Sequence, residues 1–339
     1  MNLAFLSFTD EGEKLAHRLA KMLGGSVMRC GRPLSLREWT RQHFSSDSGL
    51  IFVGAVGIAV RAIAPYVNKK WTDPAVVAVD EGAHFAVPLL SGHLGGANHL
   101  ARRIQEVCGA QAVITTATDV HGTFAVDEWA RCQGLSVENP TRIRAVSGKI
   151  LAGGTVTVQS RWPILGDCPL GVALCTGPGP DVQVDIQKKD DTAALCLVPN
   201  IVVLGIGCRK GTSFSALETA WEQFSRHAGL YESAVCAVSS IDLKKDEPGL
   251  LAFCRHHGWP FMTFPADALR QVPGTFTPSS FVEKVTGVDN VCERSAVAAS
   301  GGEIVIPKWI GDGVTLAAAL KPLALSWRWQ DEPVIQAPE

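Results

Sequence analysis

Short apolar runs alternate with helical patterns along most of this 339-residue chain, and this alternation constrains the fold more than any other feature. In the first part of the chain, the predicted strands cover residues 3–8, 50–53, 76–79, 85–90 and 113–116. Strands that are separated by turns and helices at this spacing are typical of parallel sheets with helices packed on both faces. The sequence therefore predicts an α/β fold.

Changes in composition along the chain divide it into four parts. Residues 1–134 and 201–325 are predicted to form an N-terminal and a C-terminal α/β domain, each with a parallel sheet. Residues 135–200 have short apolar runs separated by Gly, Pro and Asp, and we expect a small α+β middle module there. Residues 326–339 are rich in Trp and Pro and are predicted to be a peripheral tail.

Helix starts can be predicted from capping residues. Ser35 followed by Glu38 has the spacing of a capping box. Asp10 and Ser213 precede apolar-periodic segments, so both are predicted N-caps.

Composition and charge exclude several classes of function. The formal net charge is −2 and the basic residues are scattered, so we expect no nucleic-acid partner. No apolar stretch reaches the roughly 20 residues that a membrane helix needs, which predicts no membrane partner. The ten cysteines include no CxxC pair, so a disulfide or zinc framework is not indicated. A reducing cytoplasm is the expected location.

Polar side chains are concentrated in the segment 76–99, next to two apolar runs. The first run ends at Asp80-Glu81, and the second leads into His93. Ligand groups in open α/β sheets gather at strand ends, so we expect these side chains in one neighbourhood, together with Asp119 after a later strand. The alternative for Asp80 and Glu81 is an ordinary turn, since Asp-Glu-Gly is common turn chemistry.

Histidines in this segment are candidates for a general base. His93 lies among glycines, so its ring is expected to project from a loop and not to pack in a core. A neutral histidine is suited to proton abstraction near pH 7. His84 precedes an apolar strand, and the alternative for this residue is a core histidine whose hydrogen bonds are satisfied. A metal site formed by His84, His93 and His99 is disfavoured, because spacings of 9 and 6 match no helical or hairpin ligand pattern.

Two glycine turns lead from strands into helices. The first runs from Gly54 to Gly57, and the second covers residues 205–211 with the spacing GxGxxxG. The second turn fits neither the dinucleotide fingerprint nor a phosphate loop. It is compatible with a binding site for an anion beside Arg209 and Lys210, or with a simple strand-to-helix turn. Cys208 beside these two cations is a minor candidate for a thiol of lowered pKa.

Asp127 lies inside a predicted helix, and we expect it on a solvated helix face.

Several of these segments together resemble one known family. The segments are GAVGIAVR at 54–61, DEGAHFAVPLLSGHLGGAN at 80–98, ITTATD at 114–119, GIGCRKGT at 205–212, SIDLKKDEPG at 240–249 and CERSAVAAS at 292–300. They look like the cobalt-precorrin-5A hydrolase family (CbiG) of anaerobic cobalamin biosynthesis. The resemblance extends over nearly the whole chain, up to about residue 322.

The resemblance implies a hydrolase that acts on a cobalt-containing, ring-contracted tetrapyrrole. Water opens the δ-lactone of cobalt-precorrin-5A, and a retro-aldol-like cleavage then releases acetaldehyde and leaves cobalt-precorrin-5B. The cobalt is carried by the substrate, so neither a cofactor nor a metal site of the protein is expected. A homodimer and contacts with other enzymes of the pathway are left open.

The same resemblance suggests roles for the candidate residues as a hypothesis. His93 or His84, oriented by Asp80 or Glu81, would be the base. The remaining candidates would bind substrate, through backbone amides, an amide side chain, a carboxylate or cations; they are Gly54, Gly57, Arg61, Gly95, Gly96, Asn98, Asp119, Arg209 and Lys210. Two other classes stay open at this point, namely a tetrapyrrole carrier without chemistry of its own and a nucleotide-dependent α/β enzyme.

Overall fold

The computed structural model describes residues 2–44, 48–189 and 193–329, which are organised around three main sheets. The N-terminal unit is built on a six-stranded sheet. Its strands are β1 (Asn2–Ser7), β2 (Ser26–Arg29), β3 (Ser48–Val53), β4 (Ala75–Val79), β5 (Phe85–Leu90) and β6 (Gln111–Ala112). The helices in this part of the chain are α1 (Asp10–Leu23), α2 (Leu36–Phe44), α3 (Val56–Ile63), α4 (Ala97–Cys108), α5 (Ala117–Val120) and α6 (Val126–Cys132).

Both faces of this sheet are buried. Phe5, Ile51 and Val77 point to one face, where they pack against α1 and α4. The alternate residues of the same strands pack against α2 and α3 on the other face. A sheet that is covered on both sides requires continuous apolar strands, which explains the short unbroken apolar runs of the sequence.

The last two strands of this sheet, β5 and β6, run opposite to the other four, in contrast to the predicted parallel sheet. The strand order is β2-β1-β3-β4-β5-β6, and every neighbouring pair is parallel except β4 with β5. Val79 at the end of β4 pairs with Ala86 at the start of β5, and Val76 pairs with Leu90. The residues that follow β4 and those that follow β5 therefore lie at opposite edges of the sheet. A five-residue strand separates these edges by about 17 Å.

Two of the three predicted helix caps are confirmed. Ser35 and Glu38 form the capping box, with the Ser35 amide donating to Glu38 Oε2 over 2.9 Å and the Glu38 amide donating to Ser35 Oγ over 3.3 Å. Ser213 Oγ accepts from the amide of Ala216 at the start of the next long helix. The cap of α1 is Thr9 and not Asp10, since Thr9 Oγ1 accepts from the amide of Gly12.

The middle unit is a smaller sheet of short, mainly parallel strands. It contains β7 (Leu135–Val137), α7 (Ile143–Leu151), β8 (Val156–Ser160), β9 (Ile164–Leu165), β10 (Val172–Leu174), β11 (Val182–Val184) and β12 (Leu195–Pro199). The sheet order is β10-β8-β11-β12-β7, with β7 antiparallel to its neighbour. Trp129 and Ala130 of α6 belong to the core of this unit. The domain limits 134 and 200 stay a prediction.

The C-terminal unit has a five-stranded mixed sheet between two layers of helix. It contains β13 (Val202–Cys208), α8 (Phe214–Ala228), β14 (Val235–Ile241), α9 (Pro248–His257), β15 (Phe261–Phe264), α10 (Ala266–Gln271), α11 (Ser280–Thr286), α12 (Cys292–Ser300), β16 (Ile304–Gly311) and β17 (Val314–Leu320). The order is β15-β14-β13-β17-β16. The first three strands are parallel, while β17 is antiparallel to both of its neighbours.

The start of the predicted peripheral tail is packed into the middle unit. A last strand, β18 (Leu325–Ser326), pairs with β9. Trp327 is 5% exposed and stacks on Trp129, with 5.3 Å between the ring centroids. The tail is therefore part of the core up to Trp329, which packs against the same cluster, and residues 330–339 lie outside the described residues. Among the described helices, none is long and apolar enough to cross a bilayer.

Candidate functional site

The residues that were expected in one neighbourhood occupy three separate places. The first group lies at the carboxyl edge of β3 and β4 and consists of Gly54, Gly57, Arg61, Asp80, Glu81 and His84. The second lies at the opposite edge and consists of His93, Gly95, Gly96, Asn98 and Asp119. Arg209 and Lys210 form the third group, in the C-terminal unit. The reversal of β5 is the physical reason why the first two groups lie apart.

His84 and Asp80 form an exposed hydrogen-bonded pair on the turn between β4 and β5. His84 Nδ1 lies 2.9 Å from Asp80 Oδ2, and Asp80 Oδ1 accepts from the amide of Phe85 over 2.6 Å. Burial alone would raise the pKa of Asp80, but the Phe85 amide and the His84 ring hold it below its ordinary value. The side chain of His84 is 74% exposed, so an ionised carboxylate orients an imidazole that faces solvent.

Other groups at this edge are engaged in local contacts. The amide of Gly54 donates to the carbonyl oxygen of Val79 over 2.8 Å. The side chain of Arg61 turns back along α3 and donates to the carbonyl oxygen of Gly57 over 3.2 Å. Glu81 is exposed on the turn.

His93 is buried between two carboxylates, contrary to the expectation that its ring projects from a loop. The residue is 5% exposed. Its Nε2 lies 2.9 Å from Asp119 Oδ2, and its Nδ1 lies 3.1 Å from Asp127 Oδ2. Burial alone would lower the pKa of His93, but the hydrogen bonds and charges of Asp119 and Asp127 raise it to about 9. His93 is therefore an imidazolium at neutral pH and cannot accept a proton there.

Further side chains complete this buried network around Asp119. Asn98 Nδ2 donates to Asp119 Oδ2 over 3.1 Å, and Arg102 pairs with both Asp119 and Glu128. Burial opposes ionisation of Asp119, but its bonds to His93 and Arg102 keep its pKa below the ordinary value. Burial, followed by the nearby charge of Asp119, raises the pKa of Glu128. The cluster holds cations and carboxylates in mutual contact.

The glycines of this loop allow close packing and do not leave room for a ligand. A Cβ atom on Gly92 would lie 2.8 Å from Asn98 Oδ1, and one on Gly95 would lie 2.4 Å from Ser91 Cβ. Gly96 has a φ of 85° at the start of α4, and its amide donates to the carbonyl oxygen of His93 over 2.9 Å. These contacts fix the loop in the conformation that buries His93.

The three-histidine metal site is not formed, because His84 and His93 lie at opposite edges of the sheet. Ligand atoms of His93, Asp119 and Glu128 do lie within 4.8 Å of one another. However, the Arg102 guanidinium already bridges the two carboxylates, and His93 carries a proton on each nitrogen at neutral pH. A metal ion would have to displace both cations, so these residues fit a metal poorly.

Sequence reasoning missed Arg102 and Glu128 and misplaced Asp127, which is 2% exposed. The sequence did contain one signal that Asp127 and Glu128 are buried, which is the apolar residues on either side of them. Val126 precedes them and Trp129 follows, and both are fully buried. Carboxylates between such neighbours are indicators of a buried ion pair.

The C-terminal unit contains a large cleft at the carboxyl ends of β13 and β14. Its volume is about 820 Å³. Arg209 and Lys210, which follow β13, line it together with Lys244 and Lys308. Burial raises the pKa of the Cys208 thiol at the base of this cleft, which contradicts the low-pKa interpretation of that residue.

Glu247 anchors the loop that carries the two predicted cations. It accepts from the amide of Gly211 over 2.6 Å and from Lys244 Nζ over 3.1 Å. Burial would raise the pKa of Glu247, but these two bonds hold it below its ordinary value. A Cβ on Gly249 would lie 2.1 Å from the carbonyl oxygen of Thr212, so α9 packs directly against the same loop.

Comparison with known proteins assigns this architecture to a family. Residues 38–119 match the model described as cobalamin synthesis G N-terminal, and residues 202–319 match cobalamin synthesis G C-terminus. The cobalt-precorrin-5A hydrolase of Salmonella typhimurium (strain LT2) is 35% identical over 343 residues, which cover 93% of this chain and 96% of that protein. This chain belongs to the cobalt-precorrin-5A hydrolase family.

A second relative agrees with that assignment. The cobalt-precorrin-5A hydrolase of Priestia megaterium is 32% identical over 339 residues, or 94% of this chain and 88% of that protein. A crystal structure of a putative cobalamin biosynthesis protein G homolog from Sulfolobus solfataricus covers 95% of this chain and 97% of its own, with 18% identity and a TM-score of 0.40. As a family member, the chain is a hydrolase of cobalamin biosynthesis.

Proposed function

We propose that this chain opens the δ-lactone of cobalt-precorrin-5A and releases acetaldehyde, leaving cobalt-precorrin-5B. The observation that carries the proposal is the 35% identity over 93% of the chain to a relative of that name. The cobalt enters and leaves with the tetrapyrrole, so the proposed reaction requires no metal or cofactor held by the protein.

Lactone opening needs a base that removes a proton from the attacking water, and we assign this role to His84. Its Nδ1 is bonded to the ionised Asp80, which favours the tautomer with Nε2 free of a proton. Nε2 makes no hydrogen bond to the described residues, and the ring is exposed to solvent. His93 is unsuited to this step because its raised pKa keeps it protonated.

The second step is carbon–carbon cleavage. Hydrolysis breaks the ester C–O bond and leaves a carboxylate on the acetate side chain and a hydroxyl on the extruded carbon. Removal of the hydroxyl proton forms the carbonyl of acetaldehyde, while the electron pair of the breaking C–C bond passes to the macrocycle, which takes up a proton. The same histidine can act in both proton transfers, since one turnover returns it to the neutral state.

The remaining candidates take supporting roles in this proposal. Arg209 and Lys210 bind carboxylates of the substrate, because both line the cleft and, among the described residues, the ion pair of Glu247 is with Lys244 and not with either of them. His93, Asn98 and Asp119 hold the loop before α4 and do not touch the substrate. The amides of Gly54 and Gly96 already have acceptors and are poor oxyanion donors.

The test is acetaldehyde release from cobalt-precorrin-5A, measured by coupling to alcohol dehydrogenase and NADH oxidation. His84→Ala is expected to lower kcat by about 10²–10⁴-fold, the usual contribution of a general base. His17→Ala, an exposed histidine on α1, is the matched control and should retain the activity of the unmodified chain. Binding of the lactone without acetaldehyde release by the unmodified chain would refute the proposal and favour a carrier.

A further inference from the structure

A second cluster of titratable side chains lies in the C-terminal unit, outside the cleft. His256 and His257 end α9, Glu218 lies on α8, and Glu232 lies in the short turn before β14. Glu232 is therefore at the amino end of β14, whereas the cleft opens at the carboxyl end of the same strand. None of the four residues lines the cleft. The cluster is thus distinct from the residues that the proposed function uses.

His257 is held between two carboxylates. Its Nδ1 lies 2.8 Å from Glu232 Oε1, and its Nε2 lies 3.0 Å from Glu218 Oε2. The side chain is 5% exposed, because the ring stacks on Trp259 with 4.2 Å between centroids and packs against Phe253. These contacts fix the directions in which both ring nitrogens point.

The contact between His257 and Glu218 requires a cation. When Nδ1 donates its proton to Glu232, Nε2 and the Glu218 carboxylate are both acceptors, and only a second proton or a metal ion can join them. Among the described residues, neither carboxylate pairs with a lysine or an arginine. The His93 cluster differs in this respect, since Arg102 bridges its carboxylates.

The position of His256 distinguishes a metal ion from a proton. His256 is exposed, its ring contacts Phe214 and His257, and it makes no hydrogen bond to the described residues. A proton on His257 would give His256 no part in the cluster, whereas a metal ion would take it as a third ligand. The ligand atoms of Glu218, His256 and His257 all lie within 4.8 Å of one another.

The spacing of the ligand atoms also fits a metal ion. Neighbouring ligand atoms around a tetrahedral zinc ion are about 3.4 Å apart, as bond lengths near 2.1 Å require. The 3.0 Å between His257 Nε2 and Glu218 Oε2 is close to this value. A small widening of this contact would therefore admit the ion.

We propose that Glu218, His256 and His257 bind a divalent transition-metal ion such as Zn²⁺, with water as the fourth ligand. Two imidazoles and one carboxylate suit Zn²⁺, whereas Ca²⁺ and Mg²⁺ prefer sites made of oxygen atoms alone. Glu232 orients His257 through Nδ1, as a second carboxylate commonly does for a histidine that binds zinc. The ion joins α8 to the end of α9 and stabilises their packing beside the start of β14.

The test is equilibrium dialysis of the full chain against Zn²⁺ after treatment with a chelator, with bound zinc measured by atomic absorption. The ten cysteines offer other sites, so matched variants are compared. His256→Gln and Glu218→Gln should each bind one equivalent less than the unmodified chain. His227→Gln and Glu222→Gln change exposed residues of α8 outside the cluster and should bind as the unmodified chain does.

The orienting carboxylate and the stabilising role have their own readouts. Glu232→Ala should weaken zinc binding by about 10–100-fold. Zn²⁺ should raise the thermal unfolding temperature of the unmodified chain and slow amide hydrogen exchange at the end of α9, and Mg²⁺ should do neither. His256→Gln should show neither response to Zn²⁺, although it should unfold at the same temperature as the unmodified chain in the presence of chelator.

Two results would overturn the inference. One is equal stoichiometry and affinity for Zn²⁺ in His256→Gln and His227→Gln. The other is an unfolding temperature of the unmodified chain that does not respond to Zn²⁺. Either result would leave His257 as an imidazolium between two carboxylates, without a metal ion.

Discussion

At the scale of single residues, the environments of His84 and His93 separate two possible roles of histidine. One carboxylate and open solvent leave His84 able to exchange protons. Two carboxylates and complete burial make His93 a fixed cation. The sequence favoured His93 because of its glycine neighbours, but those glycines serve the tight loop. Its partner Asp127 lies 34 positions later, and local patterns do not report such distant pairing.

The protonation of His93 predicts a pH dependence of stability. Its pKa in the folded chain is about 9, above the ordinary value of 6.5, so the folded state binds the proton more tightly. This stabilisation, on the order of 3 kcal/mol, is complete below about pH 6.5 and is lost as the pH rises through 9. The free energy of unfolding, measured in urea from pH 6 to pH 10, should fall across this interval.

A variant without the titrating group provides the control. His93→Gln should be less stable at pH 6.5 by about 3–5 kcal/mol, because buried carboxylates lose their cation. Its stability should change little between pH 6.5 and 9. A variant that loses stability over this interval as steeply as the unmodified chain would show that another group titrates.

At the scale of elements, the sequence predicted where strands and helices occur better than how the strands run. The capping box at Ser35 and the cap at Ser213 are local signals, and both are confirmed. The direction of β5 was wrong, because a buried apolar run is equally compatible with parallel and antiparallel pairing. The five-residue turn from Asp80 to His84 is short enough for a hairpin, and this length was the signal available.

Close packing of α12 on β13 depends on a glycine. A Cβ on Gly205 would lie 1.8 Å from the carbonyl oxygen of Cys292. Gly205→Ala must therefore push the helix away from the sheet, and we expect a loss of at least about 3 kcal/mol in the free energy of unfolding. The measurement is urea denaturation followed by circular dichroism.

The matched control is a glycine within helix α7. A Cβ on Gly148 would meet nothing within 4 Å. Gly148→Ala should stabilise the chain by about 0.5–1 kcal/mol, through reduced backbone entropy of the unfolded state. If both variants were destabilised alike, the contact with Cys292 would not explain the effect at Gly205.

At the scale of the whole molecule, the α/β class and the order of three sheet-containing units followed from the alternation of patterns. The sequence did not predict that the candidate residues lie at two opposite edges of one sheet and in a cleft of another unit. The first of these separations depends on the direction of β5. The packing of the chain end was also missed. Trp and Pro suggested a peripheral segment, whereas Trp129 Nε1 donates to the carbonyl oxygen of Ser326 over 2.7 Å, across 197 positions.

The contact between Trp327 and Trp129 predicts a large effect on stability. Trp327→Ala would leave a cavity beside Trp129 and Phe124, and we expect a loss of about 3–5 kcal/mol. Trp71→Ala, a half-exposed tryptophan of the N-terminal unit, should cost less than about 1 kcal/mol. Thermal unfolding by calorimetry distinguishes the two. Equal unfolding temperatures of the two variants would contradict a core role for Trp327.

The return of the chain end to the middle unit has a consequence for biosynthesis on the ribosome. The core of that unit combines Trp129, Val156 and Leu197 with Leu325 and Trp327. The strands of the middle unit emerge long before its last core residues are synthesised, with the whole C-terminal sheet between them. Domains usually fold in the order of their synthesis. Here the first unit can complete its core from its own segment, and the core of the third unit takes Ile186 and Val198 from the segment synthesised just before it. The unit between them waits for Leu325 and Trp327 and is the last to become fully native.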